Sequence, residues 1–301
     1  MVPWEELSGV IEPYYLVART GRKAKELGLM LRIYCLQQWF GMSDPGMEEA
    51  IYDRGSFQRF LGMDLLSDSV PDETTILNFR HLLEEHGLTE KLFERINGRL
   101  EKKGLLMKRG SIVDATLIAA PKSTKNENRQ RDPEMSSTKK GNNWHFGMKA
   151  SVGVDAESGL VHHLEATTAS VHDKKVMGKV LHGEEKAIFG DKGYVRDTDK
   201  REARKKGIYY GVLDKARRGQ ALSGSQKQQN RKLSSIRAKV EHPFQIIKCQ
   251  WHYLKARYRG LKKNASQLFM LFGLVNLYRV RRKLLLMPTL LDFTRNKPSL
   301  G

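Results

Sequence analysis

The order of strand-like and helical stretches after Gly104 restricts this chain's fold more than any other feature. Residues 111–118, SIVDATLI, are rich in β-branched side chains, the texture of a buried strand. Residues 144–154 and 160–168 read as two further strands joined by the turn Asp155-Ala156-Glu157-Ser158-Gly159. His172-Asp173 then opens a helix, with Asp173 as its expected N-cap. Residues 186–189 form a short buried strand running into GDKGY, DTDKREARKKG is helical, and residues 208–213 give the fifth strand. A long basic helical region from about Ser225 and the apolar run LFMLFGLV from Leu268 close the order. Three strands before the first crossover, followed by alternation, predict an α/β fold. Its sheet is partly parallel, carries an antiparallel edge and is covered by helices. Residues 121–143 are polar and aperiodic and read as a long loop.

Before Gly104 the period is helical. LGLMLRIYCLQQWFGM stops at Ser43-Asp44-Pro45-Gly46, Ser69 to Thr75 open another helix, and Gly87 stands where a C-cap glycine belongs. The expected division is a helical N-terminal domain over 1–105, a catalytic domain over 106–288 and a C-terminal tail over 289–301. The helical unit is either a helix-turn-helix relative that recognises a DNA end, a dimerisation element, or a plain bundle.

Charge separates the same two parts. Residues 1–110 hold 15 Lys/Arg and 17 Asp/Glu, a net of −2, whereas the remainder holds 38 and 17, a net of +21. Between 200 and 283 there are 23 basic residues and three acids, Glu202, Asp214 and Glu241. A solvated lysine-rich face alternates sign. This stretch hardly does, so nucleic acid is the expected partner. Two cysteines, Cys35 and Cys249, make neither a disulfide framework nor a four-ligand zinc site. Acids precede any apolar stretch at the N-terminus and no run nears 18 apolar residues, so a cytoplasmic, nucleoid-associated protein without a membrane role is expected.

The strand order matches a ribonuclease-H-like mixed sheet flanked by helices, and on that frame three carboxylates converge. Asp114 sits inside an apolar strand, where an unpaired charge needs a partner or a metal. Asp191 sits at the mouth of a strand, between Gly190 and Gly193, and Glu241 is the only acid from 215 to 291. Singly each has a plain alternative: a turn cap, an ordinary turn residue, a salt bridge to Arg237 one helical turn away. Together, oxygen ligands without Cys or His partners suit Mg²⁺, with Mn²⁺ as substitute, and two such ions serve phosphodiester chemistry.

The stretches IVDATLIAAPKSTKN, QRDPEMSSTKKGNNWHFGMK, GVDAESGLVH, GDKGY and IRAKVEHPFQIIK resemble DDE transposases of bacterial insertion sequences. The likeness is to the branch named for insertion sequence five, within the wider insertion sequence four superfamily. It extends to IEPYY, MLRIYCLQQWFGMSD and PDETTILNFRHLLEEHGL at the N-terminal end. The resemblance implies that Asp114, Asp191 and Glu241 are catalytic and bind the metals, and that Arg237 and Lys248 hold DNA phosphates. In the family's motif of tyrosine, arginine, glutamate and lysine, the tyrosine position is Ser234 here. Offsets of 3, 4 and 7 would set Ser234, Arg237, Glu241 and Lys248 on one helix face, with Pro243 disturbing the last step.

Lys139 and Lys140 are expected backbone contacts to DNA, Trp144 reads as a core tryptophan with base stacking as the alternative, and His145, His162 and His163 read as packed or solvent-facing. The expected activity is metal-dependent cleavage of double-stranded DNA at terminal inverted repeats, then strand transfer of the 3′-hydroxyl to target DNA. A homodimer or larger synaptic complex would carry it out. The alternatives are a nuclease without strand transfer and an inactive or N-terminally shortened copy that only binds DNA.

Overall fold

The computed structural model describes residues 1–15, 24–125, 127, 129–216 and 220–295. Residues 16–23 of the expected helical domain and 296–301 of the expected tail lie outside them.

Among the described residues the N-terminal part is built of α1 (Trp4–Ile11), α2 (Leu27–Phe40), α3 (Asp44–Asp53), α4 (Gly55–Leu61), α5 (Glu73–Glu85) and α6 (Leu88–Lys102). Their ends follow local chemistry. Gly41 takes the left-handed conformation (φ 64°) that stops α2, and Ser43 caps α3 by accepting the Gly46 N–H at 3.2 Å. Asp72 caps α5 by accepting from Thr75 N–H at 2.7 Å. Leu88, Leu92, Phe93, Ile96 and Leu100 are buried along α6, the spacing of one helix face.

The strands are β1 (Gly110–Ala119), β2 (Ser136–Lys140), β3 (Asn143–Asp155), β4 (Val161–Thr168), β5 (Ala187–Gly190) and β6 (Tyr209–Val212). The sheet runs β2-β3-β1-β5-β6, with β4 also paired to β3. β1, β3 and β4 are successively antiparallel, while β5 is parallel to β1 and β6 to β5. Without the short β2 the order is that of a ribonuclease-H-like sheet. Helices α7 (Asp173–Val176) and α8 (Asp197–Lys205) lie in the crossovers. After β6 come α9 (Gly224–Arg237), opened by a reciprocal capping box of Ser223 and Gln226, then α10 (Glu241–Gln245) and α11 (Leu261–Arg295).

Helix α11 returns through the helical unit, packing on α6, α5, α2 and β4, so one hydrophobic core runs from the N-terminal helices to the sheet. A buried polar seam fixes the contact. Asn276 accepts from Val161 N–H at 2.9 Å and donates to Val161 O at 2.7 Å and to Asn97 Oδ1 at 2.8 Å. No described helix is long and apolar enough to cross a membrane.

Four expectations change. The loop expected over 121–143 contains strand β2, which pairs with β3 through the two-residue turn Gly141-Asn142. Gly141 adopts the positive φ (61°) such a turn needs. Its residues, SSTKK, carry no apolar alternation because β2 buries neither face fully. Trp144 is exposed rather than core, since β3 there has run past β1, whose last residue pairs with Gly147. His172, not Asp173, takes the cap position of α7, through an acceptance from Lys174 N–H at 3.4 Å. Finally α11 continues to Arg295, so the first residues of the expected tail are helical.

Candidate active site

Register places the first two carboxylates. β1 and β5 pair in parallel with Ile112 opposite Phe189. Two residues further along each strand stand Asp114 and Asp191, at the same level and on the same side by the period of two. Asp191 follows the C-terminal end of β5, where side chains face the crevice of a parallel sheet. Its Oδ1 accepts the Gly193 N–H at 2.7 Å, and a Cβ at Gly193 would come within 2.9 Å of that oxygen. The glycine therefore lets the loop fold back beneath the carboxylate.

Asp114 is held on both oxygens. Oδ1 accepts the Ala115 N–H at 2.8 Å, and Oδ2 meets the Arg237 guanidinium at 3.2 Å. Both side chains are mostly buried. Burial nevertheless pushes the Asp114 carboxyl up to about 6, against the pull of the Ala115 amide and Arg237 and with the push of Asp191 and Glu241. Carboxylates from the β5 mouth and from α10 thus both act on the Asp114 carboxyl of β1. Glu241 is exposed at the start of α10.

The segment bearing Glu241 is not a uniform helix. A 3₁₀ turn spans Ala238–Val240 and a π turn spans Ile246–Gln250 on either side of Pro243. Across it Arg237 reaches Asp114 rather than pairing with Glu241, which corrects the expected helical neighbour. Its Nε is buried without a hydrogen-bond partner, an unused donor on a cation. Lys248 is tied to β1, donating to Thr116 Oγ1 at 2.6 Å and Leu117 O at 2.9 Å. Burial lowers its pKa, and Lys140 lowers it further. Ser234 bonds back to Asn230 O of its own helix at 2.8 Å.

Lys139 and Lys140 are exposed on β2, with Lys139 opposite Trp144. His145 is half-buried, whereas His162 and His163 are joined ring to ring at 2.8 Å, Nδ1 to Nδ1, and His162 Nε2 meets Ser111 Oγ at 3.0 Å. Burial holds His162 near 2, as a neutral ring.

Several residues of the site escaped the sequence reading. Tyr194, buried, has its hydroxyl pKa raised by burial and then by Asp114, Asp173 and Asp191, which places it among the acids. Lys149 pairs with Asp173 at 2.9 Å and also donates to Val171 O. Both lay inside quoted motifs, GDKGY and HFGMK. Beside Asp191 opens a cavity of about 720 Å³ lined by Lys174, Lys192, Arg196, Lys200 and Lys215, with Asp214 as its one acid.

Among the described residues no group of three His, Cys, Asp or Glu side chains forms a ready-made metal cage. The donor set still fits a hard divalent cation. Burial first, and then Asp191 and Glu241, push the Asp114 carboxyl up, and a bound divalent cation would favour its charged form against all three.

A family model described as "Transposase DDE domain" matches residues 106–277, and one described as "Transposase domain (DUF772)" matches residues 1–82. Among solved structures the chain resembles a piggyBac transposase synaptic complex with hairpin DNA. There it is 11% identical with a TM-score of 0.44, covering 93% of this chain and 72% of that one. It also resembles the Mos1 strand transfer complex at 14% identity and a TM-score of 0.21, covering 81% of this chain and 82% of that one. Neither likeness is close enough to carry chemistry across.

Proposed function

The chain belongs to the family of the transposase DDE domain, matched over residues 106–277, and from that premise we propose that it is the cut-and-join transposase of a bacterial insertion sequence. The branch named for insertion sequence five is the one its motifs favour. The observation that supports the reading best is a buried Asp114 carboxyl, paired with Arg237 and pushed up by the charges of Asp191 and Glu241 from two other elements.

In the first step a water oxygen attacks phosphorus at the repeat boundary, the bond to the 3′-oxygen breaks, and that oxygen takes up a proton to become the 3′-hydroxyl. In the second, the 3′-hydroxyl attacks a target phosphodiester, forming a new phosphorus–oxygen bond and releasing the target's own 3′-hydroxyl. Asp114, Asp191 and Glu241 would hold Mg²⁺ or Mn²⁺, probed best as a pair of ions. Bound there, the metal supplies Lewis-acid activation of the attacking oxygen and charge neutralisation at the leaving one. Arg237 lowers the Asp114 carboxyl's proton affinity and fixes its orientation through the Oδ2 contact. Lys248 steadies the end of β1, while Lys139, Lys140 and the lysines of the 720 Å³ cavity take flanking phosphates. Residues 1–105 serve end recognition or dimerisation, and two DNA ends handled together call for a homodimer or larger synapse. A cytoplasmic, nucleoid-associated protein follows from that role.

The test uses labelled linear DNA carrying the repeats that flank the gene, with Mg²⁺, comparing wild type with Glu241→Gln. Cleavage at the boundary by wild type alone, followed by joining to an unlabelled plasmid, is the expected result. Equal cutting by both proteins removes Glu241 from the site. Cutting without joining points to a nuclease.

A further inference from the structure

Trp144 is the most exposed aromatic side chain among the described residues, with 65% of its surface open. It shares strand parity with buried Phe146, Met148, Ala150 and Val152, so its exposure comes from where the β2–β3 hairpin leads. The base of that hairpin is firmly seated. Met135 and Phe146 are buried, Arg131 lies 5.4 Å over the Phe146 ring, and Ser136 Oγ accepts from Thr168 and from Ser170 N–H. Just ahead of β2, Asp132 and Glu134 accept the Gly260 and Leu261 N–H groups at the start of α11, at 2.7 and 2.6 Å. The tip is bare: Lys139, Lys140, Gly141, Asn142, Asn143 and Trp144 are all exposed.

This is a rigidly based finger presenting a flat aromatic ring beside two cations. From Met135 to Val154 there is no Asp or Glu, so nothing on the hairpin neutralises those charges. The Lys140 charge is felt at Lys248, whose amine is held by Thr116 and Leu117 of β1, so the two lysines lie along one basic edge. An anionic polymer carrying flat faces matches ring and cations together, and DNA is that polymer.

Resting on the transposase reading, we propose that Trp144 stacks on a DNA base at an unpaired or kinked step of the bound end, with Lys139 and Lys140 on the adjacent phosphates. Base–aromatic stacking of this kind is worth a factor of roughly 5 to 150 in affinity. An unpaired base is already free to receive the ring, so discrimination between paired and unpaired DNA is the signature.

The experiment is fluorescence anisotropy with Ca²⁺ in place of Mg²⁺, on two end-repeat duplexes, one fully paired and one with a single unpaired base. Wild type is expected to prefer the unpaired duplex by roughly 5- to 150-fold. Trp144→Ala should abolish the preference, and Trp144→Phe should keep most of it. The double change Lys139→Ala with Lys140→Ala should weaken both duplexes alike and flatten the salt dependence. A Trp144→Ala protein with an unchanged preference overturns the proposal. So does a DNA-free dimer that dissociates on this substitution in sedimentation, because a second copy would then cover the ring. Wild type that binds neither duplex overturns the transposase reading itself.

Discussion

Replacing Asp114 by Asn should stabilise the metal-free protein at neutral pH. In the fold this carboxyl titrates at about 6 instead of its ordinary 3.8, because burial and two acidic neighbours outweigh Arg237 and the Ala115 amide. The difference corresponds to about 3 kcal/mol held against the folded state once pH exceeds 6. Asn removes the charge but replaces one of two acceptor oxygens, so Ala115 N–H or Arg237 loses a hydrogen bond, which costs about 1 kcal/mol. The net gain is about 2 kcal/mol, or about 3 °C in Tm for a chain of this size. The pH dependence carries the sign. A folded-state pKa above the unfolded value means that the folded state binds the proton more tightly, so wild type loses stability as pH rises from about 3.8 to about 6. The advantage of Asn is therefore full above pH 6, shrinks between 6 and 4, and is absent or reversed at pH 4. Thermal denaturation with chelator at pH 7.5 and pH 4 measures it. Adding Mn²⁺ should then stabilise wild type alone and reverse the order. An Asn variant less stable than wild type at pH 7.5, or a difference independent of pH, would refute the reasoning.

Removing Arg237 takes away the cation paired with Asp114, so Arg237→Ala should cut single-turnover cleavage by about 10²-fold or more, and Arg237→Lys should restore only part of it. Asn276→Leu strands Val161 N–H and Asn97 Oδ1 in the buried seam; urea denaturation should show a loss of about 2–4 kcal/mol. A Cβ at Gly153 would sit 1.9 Å from the Val180 carbonyl oxygen, so Gly153→Ala should lower Tm well beyond a surface change or prevent folding, as circular dichroism would report. Asp132→Ala loses an acceptor for the α11 start and should cost about 1 kcal/mol by the same denaturation assay.

The fold was legible where side chains face something. SIVDATLI, WHFGMKASVGV and KAIF are strands because their apolar residues meet helices on the sheet, and Asp72, inside the opening expected at Ser69 to Thr75, caps α5 by a purely local bond. Strand β2 was illegible because it covers nothing: its five residues are half-buried or exposed, and only pairing to β3 makes it a strand. Trp144 failed for the complementary reason. Its parity is that of core residues, but parity says nothing about where a neighbouring strand ends, and β1 ends at the partner of Gly147.

The residues of the site were legible by type and spacing, their partners less so. Arg237 and Lys248 are eleven residues apart, close to three full α-helical turns, and the real segment contains one tight turn and one wide one. Tightening advances the phase and widening retards it, so the two distortions offset. Both cations therefore still reach β1, at Asp114 and at Thr116. Had Pro243 only kinked the helix, one of them would have turned away. What spacing along the helix could not reveal is that the carboxylate beside Arg237 belongs to a strand 123 residues earlier rather than to Glu241. That choice follows from burial. A guanidinium in a closed site pairs with the acid buried alongside it, and exposed Glu241 remains on the open side, where DNA and metal would arrive.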